Sequence, residues 1–301
     1  MNTLKLAVPL AAALVFFPVR SWAAPVLGSD VSSFAVLGGS AVTNTGATTL
    51  TGNLGVSNNS SASGITGFFG TLANDGPGTF VGTAYQGNAF AIAADGQLVN
   101  SMTLLAGMGP GTALGSALGG LTLAPGIYTV SAGITNLTGT LTLDGAGNAN
   151  AAWVFQMPST LTTSSGSFVN LINTGAGAGV YWNVGSSATL GTGTTFAGNL
   201  LASTSITMDH GVTLSCGRAL AHTGAVTLIS DTVSASNCVG TGGQGSTGLS
   251  GGLTVLDTGT VAALPFAPVA AVPEPATYAL MLAGFGVVGL ATRRNRRRIP
   301  A

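Results

Sequence analysis

Charge is the first thing that this sequence lacks. Only 5% of its 301 residues are Asp, Glu, Lys or Arg, against about 25% in ordinary soluble domains. Five of the eight basic residues lie between Arg293 and Arg298, Lys5 and Arg20 lie near the N-terminus, and Arg218 stands alone between them. Because neutralising phosphates requires clustered Lys and Arg, this distribution excludes a nucleic-acid partner for the body of the chain.

Residues that carry catalytic or metal chemistry are equally scarce. The two histidines are His210 and His222, and the carboxylates are isolated rather than paired as glycoside chemistry requires. Two histidines cannot fill a zinc site unless a cysteine stays unpaired. Asp144, Asn148 and Asn150 lack the regular spacing of a calcium loop, and a Gly/Asn turn is the favoured interpretation. We therefore predict no enzyme activity, no cofactor and no metal.

Cysteine is limited to Cys216 and Cys238. Residues 1–23 have the features of an export signal: Lys5, an apolar run from Leu6 to Phe17, and small residues before Ala24. A single spanning anchor is the alternative, but the apolar run is short for one. Export to an oxidising compartment favours a disulfide between the two cysteines, with two buried thiols as the alternative.

What the sequence does contain is alternation of period two. Between Ser186 and Ser234, hydrophobic residues alternate with Thr and Ser, which indicates strands with one buried face. Leu190, Ile206 and Val226 recur about 16 to 20 residues apart, and a repeat of this length predicts the coils of a β-solenoid. The bulky residues predicted to point inwards are Leu141, Leu143, Trp153, Phe155, Leu161, Phe168, Tyr181, Trp182, Phe196 and Leu200.

One segment departs from this pattern. From about residue 83 to residue 106 the sequence is rich in Ala, and Tyr85, Ile92, Val99 and Met102 fall on one side of a 3.6-residue helix. We predict one long helix here, which depends on packing against a larger body because Gly87 and Gly96 weaken it.

Several motifs between residues 30 and 235 resemble, in order, the ice-binding-protein-like domain of bacteria, fungi and algae. They are Phe34–Gly46, Leu121–Tyr128, Gly139–Gly145, Ala152–Gly166, Gly185–Gly193 and Gly217–Ala221. The resemblance implies a mostly β fold over residues 24–238, a discontinuous right-handed β-solenoid of triangular section with one long helix alongside. It also implies that one flat solenoid face binds ice, as in characterised members.

A flat, regular and uncharged face rich in Thr is what such binding requires. The candidates for this face are Thr140, Thr142, Thr160, Thr162, Thr189, Thr192, Thr194, Thr195, Thr207 and Thr227. Some family members carry a Thr-Ala/Gly-x-Thr/Asn signature on the ice face, which Thr45–Thr48 and Thr192–Thr195 match. The alternative interpretation is high β-propensity on a solvated face.

The C-terminal part has a different character. We expect a flexible linker over residues 239–271, because it is rich in Gly, Ser, Ala and Pro. Residues 272–298 then combine Val272, Pro273, Glu274 and Pro275, an apolar segment over 276–292 and an Arg cluster. This order resembles the PEP-CTERM sorting signal of Gram-negative bacteria, which implies recognition by an exosortase. We expect a transmembrane helix over 276–292, with a permanent single-pass anchor as the alternative.

Together these features predict an exported ice-binding protein. It would pass through an intermediate anchored in the inner membrane and reach the cell surface or the matrix. The alternative is a structural or adhesive matrix module without ice activity, whose face meets polysaccharide or protein.

Overall fold

The structure is a computed structural model that describes residues 24–131, 133–236, 238 and 246–269. It is mostly β, with parallel strands that stack in three sets. Within each set, neighbouring strands pair in parallel. One antiparallel hairpin lies outside the three sets. The hairpin strands are Leu253–Val255 and Val261–Ala263.

One set faces the helix and is called the helix-side set. In stacking order its strands are Thr112–Leu114, Gly126–Val130, Ala152–Met157, Gly179–Val184, Thr195–Ala202, Thr213–Ala221, Phe34–Gly38, Asn53–Val56 and Ala84–Gln86.

The second set is a separate seven-stranded sheet. Its strands are Thr135–Leu137, Leu161–Thr163, Ala188–Leu190, Ile206–Met208, Val226–Ile229, Val42–Thr45 and Ile65–Thr66.

The third set shares two long strands, Thr195–Ala202 and Thr213–Ala221, with the helix-side set. Its other strands are Thr122–Leu123, Thr140–Asn148, Phe168–Thr174, Thr232–Ser234, Thr49–Thr51 and Thr79–Val81. Register shifts interrupt this set near Asp144 and Phe196.

The stacking order differs from the chain order. From Gly126 onwards the chain visits the helix-side set, the seven-stranded sheet and the third set in turn, and repeats this cycle to Ser234. The strands nearest the N-terminus then stack on the last of these coils, since Val36 pairs with Ala219 and Val42 with Val226. The stack is therefore discontinuous in sequence, as the resemblance implies.

Alternation places the apolar residues between the three sets. Phe155 and Trp182 stack with ring centroids 4.1 Å apart and planes 7° apart, and Phe196 follows with its centroid 4.8 Å from that of Trp182. The buried indole Nε1 of Trp182 donates to the carbonyl of Ala197 (2.9 Å), which satisfies it inside the core. Of the predicted inward residues Phe168 is the exception, because it points outwards in the third set and is half-buried.

The helix extends from Ala89 to Ala106, six residues later than predicted at its start. Residues Ala84–Gln86 form a strand instead, and Asn88 caps the helix by accepting the Ala91 N–H at 3.0 Å. The predicted packing face is also wrong: Ile92 and Val99 are exposed. The buried residues are Ala91, Ala94, Leu98, Ser101 and Leu105.

Strand side chains secure the C-terminal turn of this helix. Asn183 Nδ2 donates to the Met102 carbonyl (3.0 Å), and Gln156 Nε2 donates to the Leu105 carbonyl (2.8 Å). Both bonds tie the last turns of the helix to neighbouring strands. The helix is thereby fixed along the helix-side set.

Residues 246–269, which we call the strap, pack against the body. The expected flexible linker is therefore wrong for these residues, where Ser246, Leu249 and Leu253 are buried. Gly179 bridges Ser250, and Tyr181 Oη donates to the Gly251 carbonyl (2.9 Å). Burial raises the pKa of Tyr181, which keeps this hydroxyl a donor.

A disulfide and a buried arginine lie beside the start of the strap, where Cys238 Sγ is 2.9 Å from Ser246 Oγ. Cys216 and Cys238 form a disulfide with their Cα atoms 5.0 Å apart. Arg218, only 2% exposed, donates to the carbonyls of Ser32, Ala235, Thr247 and Gly248 and to Asn199 Oδ1. Four of its five hydrogen bonds therefore go to backbone carbonyls.

No helix within the described ranges is long and apolar enough to cross a membrane. The export signal over 1–23, residues 239–245, the sorting motif at 272–275 and the transmembrane helix expected over 276–292 lie outside the described residues.

Candidate functional site

A single row of six threonines and one asparagine runs down the outer side of the seven-stranded sheet. Each strand contributes its central or second residue, and the pairing register brings these residues side by side. The row, called the threonine ladder, is Asn136, Thr162, Thr189, Thr207, Thr227, Thr43 and Thr66. Asn136 is exposed and the six threonines are half-buried.

The ladder is regular because of what lies beneath it. The residues that precede the ladder threonines point inwards and are almost completely buried, among them Val42, Ile206 and Val226. The strands pair without a register shift, so that successive threonines are separated by the inter-strand distance of about 4.7–4.9 Å. No Asp, Glu, Lys or Arg occurs in these seven strands. The result is a regular, uncharged row in which the six threonines present methyl and hydroxyl groups and Asn136 presents an amide.

The third set carries a second row of similar composition. Its members, called the third-set row, are Thr140, Phe168, Thr195, Thr213, Thr232, Thr49 and Thr79. Phe168 interrupts it, and the strands on which it lies bend at the register shifts near Asp144 and Phe196. This row is therefore less regular than the threonine ladder.

The structure divides the predicted threonines between these surfaces. Thr162, Thr189, Thr207 and Thr227 belong to the threonine ladder, and Thr160 immediately precedes one of its strands. Thr140, Thr142 and Thr195 lie in the third set. The prediction of one face for all ten is wrong, because alternation identifies outward residues without telling which side of the coil they occupy.

The turn before Thr195 accounts for the two remaining candidates. Thr192 is exposed at the turn, but Thr194 is fully buried and its Oγ1 lies 2.8 Å from Thr163 Oγ1. Thr194 therefore cannot contact a ligand on the surface. Its hydroxyl holds the turn between the seven-stranded sheet and the third set.

The two signature matches are not structurally equivalent. Thr49 occupies the same row as Thr195, and Thr48 is fully buried as Thr194 is. The counterpart of Thr192–Thr195 is thus the segment 46–49, one residue later than the match at Thr45–Thr48. The second match is out of register.

A carboxyl group lies beneath the same corner. Asp231 is 1% exposed, and its carboxyl oxygens accept the N–H groups of Val212 (2.8 Å) and Ile229 (2.7 Å). Burial raises the pKa of Asp231 to about 7, although these two N–H groups act in the opposite direction. This carboxyl group supports the turn and does not reach the surface.

The described residues that could carry catalysis do not converge. His222 Nδ1 lies 3.0 Å from Asp95 Oδ1, which links the helix to the strand ending at Ala221. Asp144 Oδ1 accepts bonds from Ala146 and Asn173, which lower its pKa. Within the described ranges no three His, Cys, Asp or Glu residues group as metal ligands.

Three ladder residues escaped the sequence prediction: Thr43, Thr66 and Asn136. The signal was present for Thr43, since Val42-Thr43-Asn44 alternates as Val226-Thr227-Leu228 does. What was missing was the stacking of the N-terminal strands on the last coil, which makes these two segments neighbours.

Comparison with known proteins relates this sequence and fold to one family. Residues 36–234 match the Ice-binding-like family, and residues 271–298 match the PEP-CTERM protein-sorting motif. An ice-binding protein of Nostoc sp. (strain HG1) is 48% identical over 204 residues, covering 67% of this chain and 71% of that protein. An ice-binding protein of Colwellia sp. is 30% identical over 257 residues, covering 78% of this chain and 94% of that protein.

Solved structures show the same relationship. The ice-binding protein from the Antarctic ascomycete Antarctomyces psychrotrophicus superimposes with a TM-score of 0.64 at 34% identity, covering 71% of this chain and 99% of that one. An ice-binding protein from an Antarctic biological consortium gives 0.63 at 36% identity, covering 76% and 96%. On its sequence match and its fold, the chain belongs to the Ice-binding-like family.

Proposed function

We propose that this chain is an exported ice-binding protein whose contact surface is the threonine ladder. The three strand sets form the sides of a closed, right-handed β-solenoid of triangular section, and the seven-stranded sheet is the side that meets ice. The observation that carries the proposal is the unbroken register from Thr162 to Thr66.

The chemistry of Thr suits this role. Its methyl group is weakly hydrated, and its hydroxyl both donates and accepts hydrogen bonds. A row of such groups at a spacing of about 4.7–4.9 Å can hold water in a repeating arrangement. Since no charge lies in the seven strands, no tightly bound hydration shell competes with that arrangement.

The choice of side follows from what covers the others. The helix packs on the helix-side set through residues such as Leu98 and Leu105. The strap lies where the third set joins the helix-side set, as the bridge between Asn148 and Pro268 indicates. Among the described residues, only the seven-stranded sheet has an unbroken row that neither the helix nor the strap covers.

The test is ice activity of residues 24–269 with bulky substitutions. Thr207→Tyr should abolish most thermal hysteresis and recrystallisation inhibition, because the larger ring prevents flat contact. Thr213→Tyr is the matched control, since Thr213 is half-buried on the same coil but lies in the third-set row.

The outcomes separate the surfaces. Loss of activity in Thr213→Tyr alone would move the site to the third set, and an inactive wild-type protein would remove the ice-binding proposal. Circular dichroism of each variant checks that the fold is intact.

We further propose that signals at the N-terminus and the C-terminus direct export and sorting of the chain. The signal over 1–23 directs export, residues 276–292 anchor an intermediate in the inner membrane, and an exosortase recognises Val272-Pro273-Glu274-Pro275 before release to the surface or matrix. The match of residues 271–298 to the sorting motif supports this. Substituting Pro273 and Glu274 with Ala should retain the protein in the membrane fraction.

A second candidate function is contact with matrix polysaccharide through the third set. The half-buried ring of Phe168 lies there beside Thr140 and Thr195, and Asn170 follows two residues later. An aromatic ring among hydroxyl and amide groups offers both stacking and hydrogen bonds to a neutral sugar. Binding to polysaccharide that Phe168→Ser abolishes, with ice activity unchanged, would support it.

A further inference from the structure

The strap fixes the point at which the chain leaves the body. Asn148 Oδ1 accepts the Ala267 N–H at 3.0 Å, and the Val269 N–H donates to the Gly147 carbonyl at 2.9 Å. Asn150 Nδ2 also donates to the Pro265 carbonyl (3.0 Å). The last described residue of the strap is therefore bound to the body.

This exit point lies on the edge opposite the threonine ladder. Residues 148–152 connect the third set to the helix-side set. In the triangular section proposed above, the edge between two sides faces away from the remaining side. The remaining side is the seven-stranded sheet.

The strap exposes apolar side chains at this edge. Phe266 is 66% exposed and Val269 is 41% exposed. The strap carries one charged residue, Asp257, which lies in the hairpin turn away from these two in sequence. This end of the strap, which has no charged residue and exposes Phe266 and Val269, fits the apolar boundary of a lipid layer better than it fits water.

The length of the remaining chain places a lipid surface within reach. The match to the sorting motif begins at residue 271, and the apolar segment begins at residue 276. Six residues, 270–275, separate Val269 from that segment, and six extended residues span at most about 22 Å. An anchored chain thus holds the strap close to the bilayer.

We propose that Phe266 and Val269 form a membrane-contacting surface of the anchored intermediate, which turns the threonine ladder away from the lipid. The partner is the lipid surface itself. This inference rests on the proposed function for the anchor over 276–292 and for the side that meets ice.

The test uses the full exported chain, residues 24–301, inserted in phosphatidylcholine–phosphatidylglycerol vesicles that contain a lipid with a headgroup quencher. A fluorophore is attached at Pro265→Cys in one sample and at Thr207→Cys in another. Quenching should be several-fold stronger at position 265 than at position 207. The double substitution Phe266→Ser and Val269→Ser should remove most of this difference.

Phe69→Ser is the matched control, because Phe69 is 69% exposed but lies far from the strap in sequence, beside the last strands of the stack. It should leave the quenching difference unchanged. Equal quenching at both positions, an unaffected double variant, or a full chain that does not associate with vesicles would overturn the proposal. Ice activity of the same proteins without vesicles is measured separately, so that failure of the ice-binding proposal is seen independently.

Discussion

Thr43 and Thr227 are 184 residues apart in the chain, yet their Oγ1 atoms lie 3.4 Å apart in the threonine ladder. Val42 and Val226 pair beneath them in the same register. The N-terminal strands therefore extend a surface that the C-terminal coils begin.

This relationship gives the first prediction. Thr43→Tyr should reduce thermal hysteresis as strongly as Thr227→Tyr, because both rings would stand in the middle of the same flat row. Thr103→Tyr, on the exposed side of the helix, is the control and should behave as wild type. If Thr43→Tyr kept full activity with an intact fold, the N-terminal strands would not belong to the contact surface.

The second prediction concerns Arg218. Arg218→Met leaves five buried or partly buried acceptors without their charged donor, which should lower the free energy of unfolding by about 3 kcal/mol. Limited proteolysis should then cut within the strap, since Thr247 and Gly248 lose their bonds to the body. Arg218→Lys keeps the charge but loses the planar guanidinium group. Its free energy of unfolding should lie between those of the wild-type protein and Arg218→Met. Unchanged protease resistance in Arg218→Met would show that the strap is held by its apolar contacts alone.

The third prediction is a pH dependence from Asp231. Its pKa of about 7 in the folded chain lies above the ordinary value of 3.8, so the folded chain binds this proton more tightly than the unfolded chain does. The free energy of unfolding should therefore fall as the pH rises from about 4 to about 7, by an amount on the order of a few kcal/mol.

Asp231→Asn tests this directly, because the amide resembles the protonated acid and does not titrate. The variant should lose most of the decline between pH 4 and pH 7 in urea unfolding. Asp257→Asn, at an exposed turn, should retain it. If the free energy of unfolding fell equally in both variants, titratable groups other than Asp231 would cause the pH dependence.

The fourth prediction concerns the disulfide. Replacing both Cys216 and Cys238 with Ala should lower the free energy of unfolding by about 3 kcal/mol, because the unfolded chain gains the freedom that the closed loop removes. The two residues are 22 apart in sequence. The double variant should keep its ice activity at temperatures where it is folded, since neither residue lies near the threonine ladder. A loss of activity in a folded double variant would contradict this.

The fifth prediction separates Thr192 from Thr194. Thr194→Val removes a buried hydroxyl that bonds Thr163, which should cost about 1–3 kcal/mol in stability. Thr192→Val, at an exposed position of the same turn, should change the melting temperature little. Equal melting temperatures for the two variants would show that the Thr163 bond is not needed.

Much of the fold was accessible from the sequence for a physical reason. Period-two alternation with a recurring length identifies stacked strands, and Ala content with a 3.6-residue period identifies the helix. The resemblance implied the discontinuous order of the strands. The start of the helix was missed because Ala84–Gln86 reads as helical by composition but pairs with Asn53–Val56 as an edge strand. Contacts with a distant strand overrode local propensity there.

The site was only partly predictable. Alternation reports that Thr195 and Thr207 both point outwards, but not that a turn between their strands sends them to different sides. Thr194 was misassigned because its exposure depends on the turn and not on the alternation. The strap was missed since Leu249 and Leu253 stand among Gly and Ser, and their burial is decided by partners such as Tyr181 far away in sequence.

The discontinuous stacking has a consequence for secretion. A polypeptide that crosses a membrane with its N-terminus leading delivers Thr43 early, but the neighbour on which that strand must lie emerges almost two hundred residues later. Contacts between such distant segments form slowly, because the long intervening loop must close first. In the export route proposed above, the complete ladder therefore forms only after nearly all of the body has passed through the translocation channel.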